Sequence, residues 1–127
     1  MASAVLDASA LLAYVNGETG AEVVAAVIGD ALVSAVNLAE VVTKLVERGG
    51  SLEQARAALR FIELDVVDFT RPLAEQAGGL VALTRSKGLS LGDRACLALA
   101  AREGLPAITA DRAWSSLSVG VEVSFIR

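Results

Sequence analysis

Five short apolar runs recur along this chain, each set apart from the next by a stretch of helix length. They are Ala4–Leu6, Ala31–Val33, Asp65–Phe69, Pro106–Thr109 and Val121–Phe125. Strand-sized runs that alternate with helical segments favour a parallel sheet with helices on both faces. The segments between them carry helix signals. Ser9–Val15 ends near Asn16-Gly17, and Ala21–Ile28 is closed by Gly29-Asp30. Val36–Glu47 presents Leu38, Val41, Val42, Leu45 and Val46 as one stripe and stops at Gly49-Gly50. Ser51 with Gln54 three residues on is a capping box for a helix reaching about Ile62. Thr70 and Pro72 open another that ends before Gly88. Ser90 starts a helix so rich in Ala, Leu and Cys that a central, buried position is expected. No repeat, low-complexity tract or linker interrupts the sequence. The expectation is one α/β domain over residues 1–127, a mostly parallel central sheet flanked by helices.

Four carboxylates fall where these segments stop or start. Asp7 follows Ala4-Val5-Leu6, Glu40 lies early in one helix, Asp93 opens another, and Asp111 follows Ala107-Ile108-Thr109. Each has an ordinary explanation. Asp7 and Asp111 suit helix N-caps, Asp93 completes a capping box with Ser90, and Glu40 stands four residues before Lys44. Together they say more, because parallel sheets hold ligands outside the carboxyl ends of their strands. Acids gathered there would repel one another and bind protons more tightly unless a cation intervened. Such an oxygen-rich pocket suits Mg²⁺, with Mn²⁺ as a substitute, and suits Zn²⁺ poorly.

The sequence contains no histidine. That removes the commonest general base and the commonest transition-metal ligand, so hydrolysis would run through carboxylates and hard metals. The single cysteine, Cys96, cannot form an internal disulfide, and it reads as a small packing residue. The net charge of −4 argues against a broad basic face for nucleic acid. Without the four acids above, however, acids and bases number 11 each. A bound divalent cation would therefore give that cluster a reason to attract phosphate. No apolar run is long enough to span a membrane, and the start lacks a signal-peptide pattern, so a cytoplasmic location is expected.

The wording around the acids is specific. Val5-Leu6-Asp7-Ala8-Ser9-Ala10-Leu11-Leu12, Ser34-Ala35-Val36-Asn37-Leu38-Ala39-Glu40-Val41, Leu89-Ser90-Leu91-Gly92-Asp93-Arg94-Ala95-Cys96-Leu97-Ala98-Leu99-Ala100 and Ile108-Thr109-Ala110-Asp111-Arg112-Ala113-Trp114 follow in order over essentially the whole chain. They resemble the PIN-domain nucleases, particularly the VapC-type toxins of toxin–antitoxin pairs. The resemblance implies a Mg²⁺-dependent endoribonuclease, a homodimer, and a cognate VapB-type antitoxin that blocks the site. It implies that Asp7, Glu40 and Asp93 hold the principal metal. Asp111 would complete the shell or engage a second ion, and one or two metals stay open.

Further residues carry two readings each. Ser9 and Thr109 orient a carboxylate or water, or simply cap. Asn37 supports the site or caps its helix. Arg94 and Arg112 hold phosphates or belong to a solvated face. Trp114 stacks on a base or packs inside. Two rival functions also stand beside the nuclease. A receiver-like phosphoacceptor domain would need a pair of acids after its first strand and a lysine after its last, and neither is evident. A catalytically silent PIN scaffold acting as a binding module would lack activity with any divalent ion.

Overall fold

The computed structural model of the chain describes residues 1–127. Its five strands are β1 (Ala4–Leu6), β2 (Ala31–Ser34), β3 (Asp65–Val67), β4 (Ala107–Thr109) and β5 (Val123–Phe125). They form one sheet in the order β3-β2-β1-β4-β5, and every neighbouring pair is parallel. All five expected strands are present. The third and fifth are shorter than their apolar runs, ending at Val67 and starting at Val123.

Alternation along each strand divides the core between the two faces of the sheet. Ala4 and Leu6 of β1, Ala31 and Val33 of β2, and Ile108 of β4 point to one side. There they meet α1 (Ala8–Asn16), α2 (Ala21–Ala25) and α3 (Ala35–Glu47) through Leu11, Val24 and Val41. Val5, Leu32 and Ala107 point to the other, against α5 (Arg71–Gly79), α7 (Leu91–Glu103) and Trp114. Residues Ala95 to Ala100 of α7 are all buried, so this helix has the central place its composition called for. The remaining helices are α4 (Leu52–Arg60), which opens with the expected Ser51–Gln54 capping box, and the one-turn α6 (Val81–Thr84).

Two helices depart from the sequence expectation. The segment after Thr70 breaks at Leu80 rather than running on to Gly88, and 3₁₀ residues Arg85–Lys87 follow α6. The pair Gly78-Gly79 weakens the helix interior there. Thr84 also turns its hydroxyl back onto the Leu80 carbonyl, 3.0 Å away. Likewise α2 stops at Ala25, and Ile28–Asp30 forms a separate 3₁₀ turn.

The strand order decides where a ligand can sit. The chain steps outward from β1 to β2 to β3, then crosses to the opposite side of β1 for β4 and β5. The crossovers diverge between β1 and β4, which opens a crevice beyond their carboxyl ends. The order also differs from the 2-1-3-4-5 order of receiver-like domains, which removes that rival.

Candidate active site

The crevice is lined by Asp7, Ala8, Ser9, Leu12, Glu40, Lys44, Asp93 and Asp111. All four sequence-identified acids therefore line one cleft, Asp7, Asp93 and Asp111 from element boundaries and Glu40 from within α3. Asp7 leaves β1 and caps α1, accepting from the Ala10 amide at 2.8 Å. Glu40 projects from the second turn of α3, whose N-cap is Ser34. Asp93 closes the capping box of α7, accepting from the Ser90 amide at 2.9 Å. Asp111 leaves β4 and accepts from the Ala113 amide at 2.9 Å, capping the 3₁₀ turn Arg112–Ser116. The capping roles and the shared cleft coexist.

Asp7 is the deepest of the four, only 3% exposed. Ser9 Oγ lies 2.8 and 3.0 Å from its two carboxylate oxygens, and Thr109 donates to Oδ2. Both hydroxyls are anchored in turn. Ser9 Oγ accepts from the Ala110 amide at 2.9 Å, and Thr109 Oγ1 accepts from the Asp111 amide at 3.0 Å. Both hydroxyls therefore contact the Asp7 carboxylate directly.

Burial sets the electrostatics. It raises the Asp7 carboxyl from an ordinary 3.8 to about 6, even though Thr109, the Ala10 amide and Ser9 favour the anion; the charge of Asp93 adds to the rise. Burial also raises Glu40, against the Asn37 amide and with help from Asp93. Asp93 is raised by burial, against the hydrogen bonds from Ser90 and with help from Asp111. No member of the quartet has an ion-pair partner.

The expected trio of ligands does not close on one point: no three acids stand together as a ready-made ion-binding set. Asp93 and Asp111 are instead tied to the starts of their own helical segments, Glu40 to Asn37 of α3, and Asp7 to both α1 and Thr109 of β4. The donor chemistry nevertheless fits a hard cation, since the acids offer only oxygen and the cleft lacks a histidine or thiolate. Cys96 is fully buried, and burial pushes its thiol well up, so it packs as expected.

The supporting residues divide. Asn37 is buried as the third residue of α3 and donates to Glu40 Oε1 and to the Gly92 carbonyl, while Ser34 is the N-cap of that helix. Arg94 turns away from the cleft and donates to the Ala77 carbonyl of α5 at 3.0 Å. Arg112 is held outside it by the Arg127 carbonyl at 2.8 Å and stacks 4.6 Å from the Phe125 ring. Neither arginine lines the crevice. Trp114 is 1% exposed and belongs to the core.

Two residues were missed. Lys44 is the one cation lining the cleft, and its ion pair is with Glu47 at 3.8 Å rather than with Glu40. Its place one turn beyond Glu40 was a usable signal. Gly92 lies against Glu40 and had no such signal, because the approach is between α3 and α7.

The PIN domain family model matches residues 4–119, and the chain belongs to that family. Solved structures agree in fold over nearly the full length. A DNA-bound VapBC from Salmonella typhimurium shares 21% identity with a TM-score of 0.77, covering 100% of both chains. VapC20 of Mycobacterium tuberculosis, a sarcin–ricin loop cleaving toxin, shares 23% identity with a TM-score of 0.75, covering 94% of this chain and 99% of that one. A toxin–antitoxin complex from Klebsiella pneumoniae shares 23% identity with a TM-score of 0.74 and 98% coverage of both. No curated protein sequence matches significantly.

Proposed function

We propose that this PIN domain is a Mg²⁺-dependent endoribonuclease, the toxin of a VapBC-type pair. The observation that carries the reading is the cleft at the sheet's switch point, which four carboxylates line without an ion-pair partner and in which Asp7 is almost wholly buried. Asp7, Glu40 and Asp93 are the residues that would hold Mg²⁺ or Mn²⁺, with Asp111 at the rim. When bound, such an ion supplies Lewis acidity to a phosphodiester and its attacking water. The protein's own contribution is orientation. Ser9 and Thr109 fix the plane of the Asp7 carboxylate, and the capping bonds of Asp93 and Asp111 hold them at helix starts. Lys44 is placed to meet a phosphate oxygen at the rim.

The partner assignment draws on the toxin–antitoxin relatives and on a groove between α3 and α4. Leu38, Val42, Leu52 and Leu59 line it, with Arg56 and Arg60 alongside. An exposed apolar groove of this kind suits an amphipathic antitoxin segment. The helix α3 faces both places, with Glu40 and Lys44 toward the cleft and Leu38 and Val42 toward the groove. We further propose a homodimer working in the cytoplasm, where RNA is at hand. No helix is long and apolar enough to cross a membrane.

The deciding experiment is cleavage of structured RNA with Mg²⁺ or Mn²⁺, with EDTA, and with the neighbouring gene product added. Metal-dependent cleavage that EDTA and the antitoxin both stop is expected, from a protein that light scattering reports as a dimer. The silent scaffold is the second reading, favoured by the lack of a closed ion-binding trio. Inactivity with every divalent ion would establish it over the nuclease.

A further inference from the structure

Gly92 is the second residue of α7, and its backbone is ordinary helix without a positive φ. Backbone conformation therefore gives no reason for glycine here. The neighbouring helix does. A Cβ on Gly92 would collide with the Oε1, Cδ and Oε2 atoms of Glu40. The Glu40 carboxylate thus rests directly on the bare Cα of Gly92.

Asn37 closes the arrangement from the side. It is 1% exposed, and its Nδ2 donates to Glu40 Oε1 at 2.9 Å and to the Gly92 carbonyl at 3.0 Å. One amide therefore spends both its protons on tying the end of Glu40 to the start of α7. Its own Oδ1 is buried without a partner, a cost that a residue serving only to fill space would not need to carry.

We propose that Gly92 and Asn37 are positioning residues: the space left by Gly92 and the amide of Asn37 together fix where the Glu40 carboxylate stands in the cleft. This inference rests on the metal-dependent reading of the site. It separates position from folding. The three atoms nearest to the methyl added by Gly92→Ala all belong to the end of the flexible Glu40 side chain. The fold can accept it by swinging Glu40 aside, and alanine suits a helix better than glycine. Stability should hold while the carboxylate moves.

The test uses the full chain in three measurements. Gly92→Ala is expected to melt at or above the wild-type temperature. In metal-free protein, the Asn37 side-chain amide signals should shift in its ¹H–¹⁵N spectrum, as they should also in Glu40→Ala. Calorimetry should show Mn²⁺ binding weakened by about tenfold or more, the usual scale for losing a group that orients a ligand. The double variant Gly92→Ala/Glu40→Asp shortens the carboxylate by one methylene, which clears the methyl. It should bind Mn²⁺ more tightly than Gly92→Ala, although Glu40→Asp alone binds more weakly than wild type. Unmoved Asn37 signals, or wild-type Mn²⁺ affinity in Gly92→Ala, overturns the proposal. So does a Gly92→Ala protein that fails to fold, because the methyl would then be meeting something other than Glu40. If wild type itself binds no Mn²⁺, the metal reading falls, and the Asn37 signals alone decide whether Gly92 places Glu40.

Discussion

Glu75 and Asp7 carry the same carboxyl group in opposite surroundings. Glu75 stands on the outer face of α5, exposed, with Arg71 one turn away at 3.4 Å. Glu18, Glu47, Glu53 and Glu103 are likewise paired with a neighbouring base near the surface. Asp7 has two hydroxyls and an amide in place of a base, and almost no water. The outer acids are solvated and loosely paired, which makes each worth little to stability. Three of the cleft acids, Asp7, Glu40 and Asp93, are wholly or partly desolvated and repel one another, which makes them costly to keep. A fold that gathers four acids without ion pairs at the mouth of its sheet trades stability for a place that attracts cations.

The largest expected effect separates the two regions by activity. Asp93→Asn keeps the size and capping ability of the side chain but removes a charge from the cleft, and RNA cleavage should fall by about a thousandfold or more, roughly 4 kcal/mol of barrier. Glu75→Gln should cleave like wild type. Equal activity in the two variants would erase the distinction.

A smaller effect lies in metal-free stability. Asp7 titrates near 6 in the folded protein and near 3.8 when unfolded. Between those values the native state holds the extra proton, so stability falls as pH rises through that window and levels off above it. Glu40 and Asp93 are raised too and act in the same direction. Asp7→Asn should flatten this profile and stabilise the metal-free protein near pH 7 by about 1–3 kcal/mol. Saturating Mn²⁺ should restore wild type toward the variant, because a cation bound only to the native state stabilises it by mass action. Denaturant melts across pH, with and without metal, decide this. A wild-type profile that rises over the same window would mean that Asp7 is not desolvated. The smallest effect belongs to Glu75→Gln, whose melt should stay within about 0.5 kcal/mol of wild type at every pH.

What the sequence disclosed divides along the same line. The strands were legible because three or four apolar residues bounded by turn signals admit few alternatives in an alternating chain. Asp7, Asp93 and Asp111 were legible because each marks a helix start, as with Ser90 and Asp93, whereas Glu40, inside α3, stood out only through the family resemblance. Contacts between distant segments were not. Arg94 follows a site acid, but its guanidinium is claimed by the Ala77 carbonyl, 17 positions away. Arg112 goes to the Arg127 carbonyl, 15 positions away. Asn37 looked like a possible cap, yet Ser34 already fills that role, and the amide reaches Gly92, 55 positions on. No local pattern records such choices, because packing between elements makes them.

The longest of these reaches has a kinetic side. Thr109 and Asp7, which hydrogen-bond at the floor of the cleft, are 102 positions apart, and β1 receives β4 only after every other helix and strand but β5 has been laid down. Closing so long a loop is slow compared with forming a helix or a local strand pair. During synthesis, a chain that has emerged only through α7 carries Asp7, Glu40 and Asp93 but neither Thr109 nor the strand that walls the crevice. The finished pocket therefore cannot exist before β4 has emerged. Until then the three acids already made stand without the hydroxyl and the strand that complete their cleft.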